Sequence, residues 1–242
     1  LDVYSDSLHA NLNNPASFGD LKLVTYGVGI NYKSTKLASS ATEETIASGS
    51  LDYFLVAIPT KHFSFGFGIL PATSVGYRLQ SITQGDEINN VISQNEGSGG
   101  LNQTFFTIGF KVTDYLNLGL SANYNFGRIS NEYSRQEQNV DFGSFFNKKS
   151  SLVGFNYRFA AQFKIPLTNK IRLDAMSYYV PENTLTSTNE STFFTRSITT
   201  SNIGDIENVD LSLNNLQETK ISMGDQISVG LGITKDKKWF FG

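Results

Sequence analysis

The chain has 242 residues, no cysteine and a formal net charge of -3, which removes disulfides, thiolate metal sites and any electrostatic case for a nucleic-acid partner. Charged residues make up 17% and aromatics 13%, with 19 Phe and 11 Tyr beside 21 Gly; that balance suits strands and turns, not helices. No run of about 20 apolar residues is present to cross a bilayer as a helix, and no basic-plus-apolar leader opens the chain, so an exported protein of this sequence has already lost its leader.

The first patterned stretch is NLNNPASFGD, 11–20, a concentration of turn formers ahead of any alternation. Alone it reads either as a linker or as a fixed segment laid before the first strand. Val24, Tyr26, Val28, Ile30 and Tyr32 then recur at every second position, which predicts a strand with one apolar face. A long polar stretch follows at 39–48 and a tight turn at PTKH, 59–62. Phe63, Phe65, Phe67 and Ile69 share a face of the next strand, backed by Ser64, Gly66 and Gly68. Pro71 falls inside that strand, where it cannot donate to a ladder. It marks either a bend or a gap in a sheet wall.

After a polar stretch at 81–100, Phe106, Ile108, Phe110 and Val112 oppose Gln103, Thr107 and Lys111, and TDYLN, 113–117, closes a second tight turn. In NLGLSANYNFG, 117–127, Leu118, Leu120, Ala122, Tyr124 and Phe126 alternate with Asn and Gly. A third polar stretch, 131–150, leads to VGFNYRFAAQFKI, 153–165, whose odd positions are apolar and whose even positions carry Asn156, Arg158, Gln162 and Lys164. LTNK, 167–170, turns into Ile171, Leu173 and Ala175 opposite Arg172 and Asp174. The longest polar stretch, 186–218, precedes Ile227, Val229, Leu231 and Ile233, then TKDKK, 234–238, and Trp239-Phe240-Phe241.

Short and long connections therefore alternate between strands of ten residues or more, the pattern of an up-and-down barrel in an outer membrane. A soluble sandwich also alternates. It would, however, carry Lys and Glu on its polar faces, where this chain has Gly, Asn, Ser and Gln. Trp239, Phe240, Phe241 and Tyr115 suit an interfacial girdle. The expected fold is an all-β, transmembrane, antiparallel up-and-down β-barrel, in two parts: a short N-terminal hatch or plug segment at 1–20 and the N-terminal part of the barrel at 21–242. About nine strands are countable, the last one unfinished, so a larger barrel is expected.

Catalytic chemistry is not legible. His9 and His62 have no nucleophile elbow or metal-ligand spacing around them. GLGITK, 230–235, lacks the helix that a phosphate loop needs. Asp205, Glu207 and Asp210 lack calcium-loop spacing and read as a solvated acidic loop. Arg158, Arg172 and Asp174 are expected to form a polar network in the lumen. The reading is of a protein that is not an enzyme and has no cofactor.

On Asn14-Pro15-Ala16 ahead of the strand LVTYGVGINYK, on the interrupted FGFG strand, and on Gly100-Leu101-Asn102 and NYNFGRI (123–129), the chain resembles the FadL/OmpP1 family of outer-membrane proteins, in its Bacteroidota form. That resemblance implies a barrel of about 14 strands with Asn14, Pro15 and Ala16 in a lumen hatch and Gly66, Gly68 and Pro71 at a lateral opening. It further implies passive uptake of hydrophobic small molecules, with outer-membrane lipid and a hydrophobic ligand as partners. Some relatives implied by the same resemblance instead serve as non-transporting accessory or scaffold subunits of outer-membrane secretion or barrel-assembly complexes, with other outer-membrane proteins or lipoproteins as partners.

Overall fold

The computed structural model describes residues 2–38, 43–84, 90–197, 199–235 and 238–242. Its strands are β1 (Thr25–Ala38), β2 (Glu43–Pro59), β3 (Phe63–Gln84), β4 (Asn90–Lys111), β5 (Leu116–Glu137) and β6 (Phe142–Pro166), followed by β7 (Ile171–Val180), β8 (Asn183–Ser197), β9 (Ile203–Asn208), β10 (Glu218–Met223), β11 (Gln226–Lys235) and β12 (Trp239–Phe241). All twelve belong to one antiparallel sheet, so a sandwich of two sheets does not form.

The twelve strands make nine traverses and one short branch. β7 pairs with the second half of β6, and β8 pairs with its first half, so β7 and β8 lie end to end. β11 and β10 pair with β7 and β8 in one shared register, from Lys235↔Ile171 to Glu218↔Thr188, and are likewise end to end. β9 is a branch on the far end of β8. Counting β7–β8 and β10–β11 once each leaves an up-and-down path from β1 to β12.

Three of the polar stretches that sequence pattern assigns to long loops are largely strand. β3 stays paired with β4 up to Gln84↔Asn90, and β5 with β6 up to Arg135↔Ser144, so 81–100 and 131–150 are the tips of tall hairpins. In 186–218, β8 runs on to Ser197 and β9 adds six residues. Of the stretch 39–48, residues 39–42 lie outside the described residues, as do 85–89 within 81–100 and Asp236 and Lys237 within the turn at 234–238.

The faces are inverted relative to a soluble sheet. Large apolar side chains point outward and stay exposed, among them Tyr26, Ile30, Phe155, Phe159, Ile227 and Val229. Ser64, Thr107, Asn117, Ser121, Asn123, Gln162, Asp174 and Ser187 are buried on the inner face. Several are hydrogen-bonded to one another, as in the ladder from Thr107 Oγ1 to Ser121 Oγ at 2.9 Å and on to Asn123 Oδ1 at 2.9 Å, whereas Asn117 Nδ2 is buried without a partner. Most buried hydroxyls and amides in proteins have such partners.

β3 holds an irregularity that the alternation conceals. The β3–β4 register shifts between Pro71 and Thr73, opposite Asn102 and Leu101, and just beyond it Val75 pairs with Gly99, whose φ of +112° favours glycine. Below the shift the odd row Phe63, Phe65, Phe67, Ile69 and Pro71 shares a face with Phe106, Ile108 and Phe110. Above it Ser74, Gly76 and Arg78 join that face, and Val75, Tyr77 and Leu79 turn inward, where the Tyr77 hydroxyl donates to Asn131 Oδ1 at 3.1 Å. A one-residue bulge flips every side chain beyond it.

At the tall-hairpin end, Asp141 ties the β5–β6 connection to the tip of β8. Its carboxylate accepts from Thr199 Oγ1 at 2.6 Å and from Ser197 Oγ at 3.0 and 3.1 Å. The Thr199 hydroxyl foremost, then that of Ser197, holds the Asp141 pKa below its ordinary value. A depressed carboxylate stabilises above the ordinary range and loses that contribution as pH falls through the depressed value. Asp141→Asn at neutral pH is therefore expected to expose the Thr199 amide to hydrogen exchange as acid does to the parent. Equal protection in parent and variant would refute the clamp.

Candidate functional site

The best-built site is the inner face at the short-turn end, where the chain's first residues are packed. Asn14 caps a 3-10 turn, Pro15–Asp20, its Oδ1 accepting from the Ala16 amide at 3.1 Å. Proline at the first position loses nothing there, since that N–H has no partner within the turn. Ser17 Oγ donates back to the Asn14 carbonyl at 2.7 Å. The asparagine run knits in the residues before it: Asn14 Nδ2 donates to Asp2 O at 3.0 Å, and Asn13 Nδ2 to Asp2 Oδ1 at 3.0 Å. Asn14, Ala16 and Ser17 are fully buried, and Phe18 nearly so.

Phe18 and Leu21 form a small apolar core with Leu55, Ala57 and Phe105. The sheet makes room for this segment with glycines. A Cβ at Gly66 would lie 2.5 Å from the Phe18 ring, one at Gly109 2.6 Å from Gly19 N, and one at Gly119 2.2 Å from Ala16 N. Residues before the turn reach round to the far strands: Val3 packs over Gly230, and the Tyr4 ring meets Phe240 edge-on at 5.2 Å. Contacts from β2 through to β12 mean that the sheet curls around the segment.

One row of β6 latches it. Arg158, Gln162 and Lys164 share the inner face with Ala160. Gln162, fully buried, donates to Val3 O at 3.0 Å and Ser5 Oγ at 2.9 Å and accepts from Asn14 Nδ2 at 3.4 Å. Arg158 Nη1 donates to the Leu12 and Asn13 carbonyls at 3.4 and 3.3 Å, and Lys164 pairs with Asp20, both side chains only 13% exposed. These bonds are charge-assisted or shielded from water, the conditions under which they count most.

The structure thus brings Asn14 together with Gln162, Pro15 and Ala16 with Gly119 and, through Phe18, the turn with Gly66, while Arg158 holds Leu12 and Asn13 just before it. Gly68 lies against Phe105 and the Phe54 carbonyl, away from the segment. Pro71 sits two residues past Ile69, where pairing between β2 and β3 stops. Arg172 and Asp174 form their own ion pair at 2.7 Å, with Thr234 donating to the buried Asp174. No bond joins them to Arg158. Phe18, Asp20, Gln162, Lys164, Gly109 and Gly119 belong to the site without having been singled out in the sequence. Their signal was the small-and-amide row itself, which states a face but not a partner. Asp205 and Glu207 lie in β9, Asp210 accepts from Ser212, and no group of three metal-binding side chains occurs among the described residues.

Beside the latched segment, Gly19–Lys22, the β2–β3 turn and Lys111 line a cleft of about 540 Å³ whose cations are Lys22, Lys61 and Lys111. Lys111 is bridged to Asp114 at 2.7 Å.

A protein-family model, BamG, matches the chain over residues 1–242. No curated protein and no solved structure matches it. The match overturns the FadL/OmpP1 resemblance, because the family it names is related to barrel assembly. With it falls the reading of the chain as a route for passive uptake of hydrophobic molecules.

Proposed function

The chain belongs to the BamG family, and on that premise we propose that it is a non-transporting accessory subunit of an outer-membrane barrel-assembly complex. The observation that carries this reading is the latched segment: residues 12–20 lie on the inner face at the short-turn mouth and are held by Arg158, Gln162 and Lys164. A conduit needs an open path, and this mouth is filled by the buried segment and the β6 side chains bonded to it.

In this reading the sheet closes into a membrane barrel. Exposed outward Tyr, Phe, Ile and Val then meet lipid, and backbone groups at that depth are satisfied only by closure. Its neighbours are other outer-membrane assembly proteins, and neither a hydrophobic ligand nor a nucleic acid has a place at the site.

Affinity purification of the tagged protein in mild detergent tests the proposal. Outer-membrane partners in fixed ratio are expected, and in liposomes the purified chain should pass small sugars no faster than empty vesicles. A chain recovered alone, or one that conducts, defeats it.

A further inference from the structure

We propose that the free edge of β3, from Leu70 to Gln84, receives an extended strand from a partner polypeptide. This deepens the accessory-subunit reading and rests on it for the partner being another outer-membrane protein.

β2 and β3 pair over six residue pairs only, Phe54↔Ile69 to Pro59↔Ser64. Beyond Ile69, β3 keeps its bonds to β4 on one side up to Gln84↔Asn90, while β2 continues to Glu43 with β1 alone. Two strands therefore diverge and leave a notch between two tall hairpins. In an antiparallel strand every second residue aims its N–H and C=O at the unpaired side. At about 3.4 Å per residue, the β3 lip offers roughly 48 Å of such groups.

The two lips differ in a way that selects one of them. Exposed edges are normally blunted by charge, proline or shortness. β2 carries Glu43, paired to Lys36 at 2.7 Å, and Asp52 along its lip. β3 carries a single charged residue, Arg78, and that guanidinium is turned to Glu96 on β4 at 2.7 Å. Its one proline, Pro71, stands at the very start of the lip. Beyond it Ala72, Thr73, Ser74 and Gly76 are small, a Cβ at Gly76 would meet nothing within 4 Å, and Leu79 and Ile82 are 63% and 64% exposed. Beyond the bulge at Pro71–Thr73, a long, nearly uncharged and uncovered edge is a template for strand addition. The bulge at Pro71 sets the side-chain code: Val75, Tyr77 and Leu79 line the inward side. The incoming strand is expected to carry apolar residues on that side and small or polar ones outward.

The notch also begins where the outward row is still apolar, at Ile69 and Pro71, next to Leu51 of β2. Unpaired backbone groups at that height are costly. A partner strand satisfies them, as neither water nor lipid tails can.

Hydrogen–deuterium exchange on the full chain, alone in detergent and in the complex purified with its partners, reads the edge directly. Amides facing the notch between Val75 and Gln84 are expected to exchange at least about tenfold slower in the complex, while those bonded to β4 stay unchanged. Fast exchange throughout 75–84 in a complex that does contain partners overturns the strand proposal and leaves the accessory role standing. A chain recovered without partners overturns both. Because the chain has no cysteine, Gly76→Cys or Ser81→Cys can carry a photo-crosslinker in whole cells. A single adduct with another outer-membrane protein supports docking, whereas adducts with lipid alone or with a second copy of this chain refute it.

Discussion

Gly119→Val is expected to expel the N-terminal segment from the inner face while leaving the sheet paired. The Cβ would stand 2.2 Å from both Ala16 N and Pro15 C, and 2.6 Å from the Pro15 carbonyl oxygen. Those are backbone atoms of a capped 3-10 turn, so no side-chain rotation relieves the clash. Overpacking of this kind costs about 1–3 kcal/mol or more, and the cheapest relief is to undock residues 2–22. Lys22, already at the surface, would then have flexible chain on both sides. Trypsin should cleave after it at least about tenfold faster than in the parent, and liposomes carrying the variant should conduct. Gly76→Val is the control, since a Cβ there meets open space. If Gly119→Val kept the segment protease-resistant and the mouth closed, the glycine cradle would not be what seats it.

Lys164→Met is the second large effect. Lys164 and Asp20 are each 13% exposed, and the pair joins β6 to the end of the latched turn. Removing the cation strands a carboxylate that is 13% exposed. Breaking a shielded pair from one side costs about 3 kcal/mol or more, because the orphaned charge keeps its desolvation penalty. The double variant Lys164→Met/Asp20→Leu should recover most of the loss, since neither charge is left behind. Urea unfolding in detergent, taken round the four-member cycle, isolates the coupling. A double variant as unstable as the single one would show that the pair contributes by packing alone.

The strands were legible because lipid-facing Phe, Tyr, Ile and Val alternate with Gly, Asn and Ser, as in Leu118 to Gly127 and Val153 to Ile165. That signal ends where the sheet leaves the apolar zone. Past the Gly100↔Arg128 pair the outward apolar row of β4 and β5 gives way to Ser98, Glu96, Ser130 and Glu132, so period 2 fades from the hydropathy although the ladder continues to Val91↔Glu137. The tall hairpins consequently read as loops. The position of Asn14-Pro15-Ala16 ahead of β1 marked the segment as structured, yet a three-residue motif and an interrupted third strand do not separate one barrel family from another. The latch was hidden for a different reason. Gln162 and Arg158 bind backbone carbonyls some 145 to 159 residues away, and no side-chain pattern announces a carbonyl acceptor.

The two end-to-end strand pairs break at the same height. Val180↔Gln226 and Asn183↔Met223 bracket Pro181-Glu182 on one strand and Gly224-Asp225 on its neighbour. Glu182 accepts from Ser222 Oγ across the gap at 2.6 Å, and Gly224 has no atom within 4 Å of where a Cβ would be. Aligned interruptions form a transverse crease in these two traverses, but β6 runs unbroken beside it from Phe142 to Pro166 and holds β8 from Phe142↔Ser197 to Val153↔Thr186. Across the crease the outer panel of β8, β9 and β10 is therefore joined to β7 and β11 chiefly through β6, and on this flank a break in β6 between Val153 and Phe159 would part what the crease has already separated.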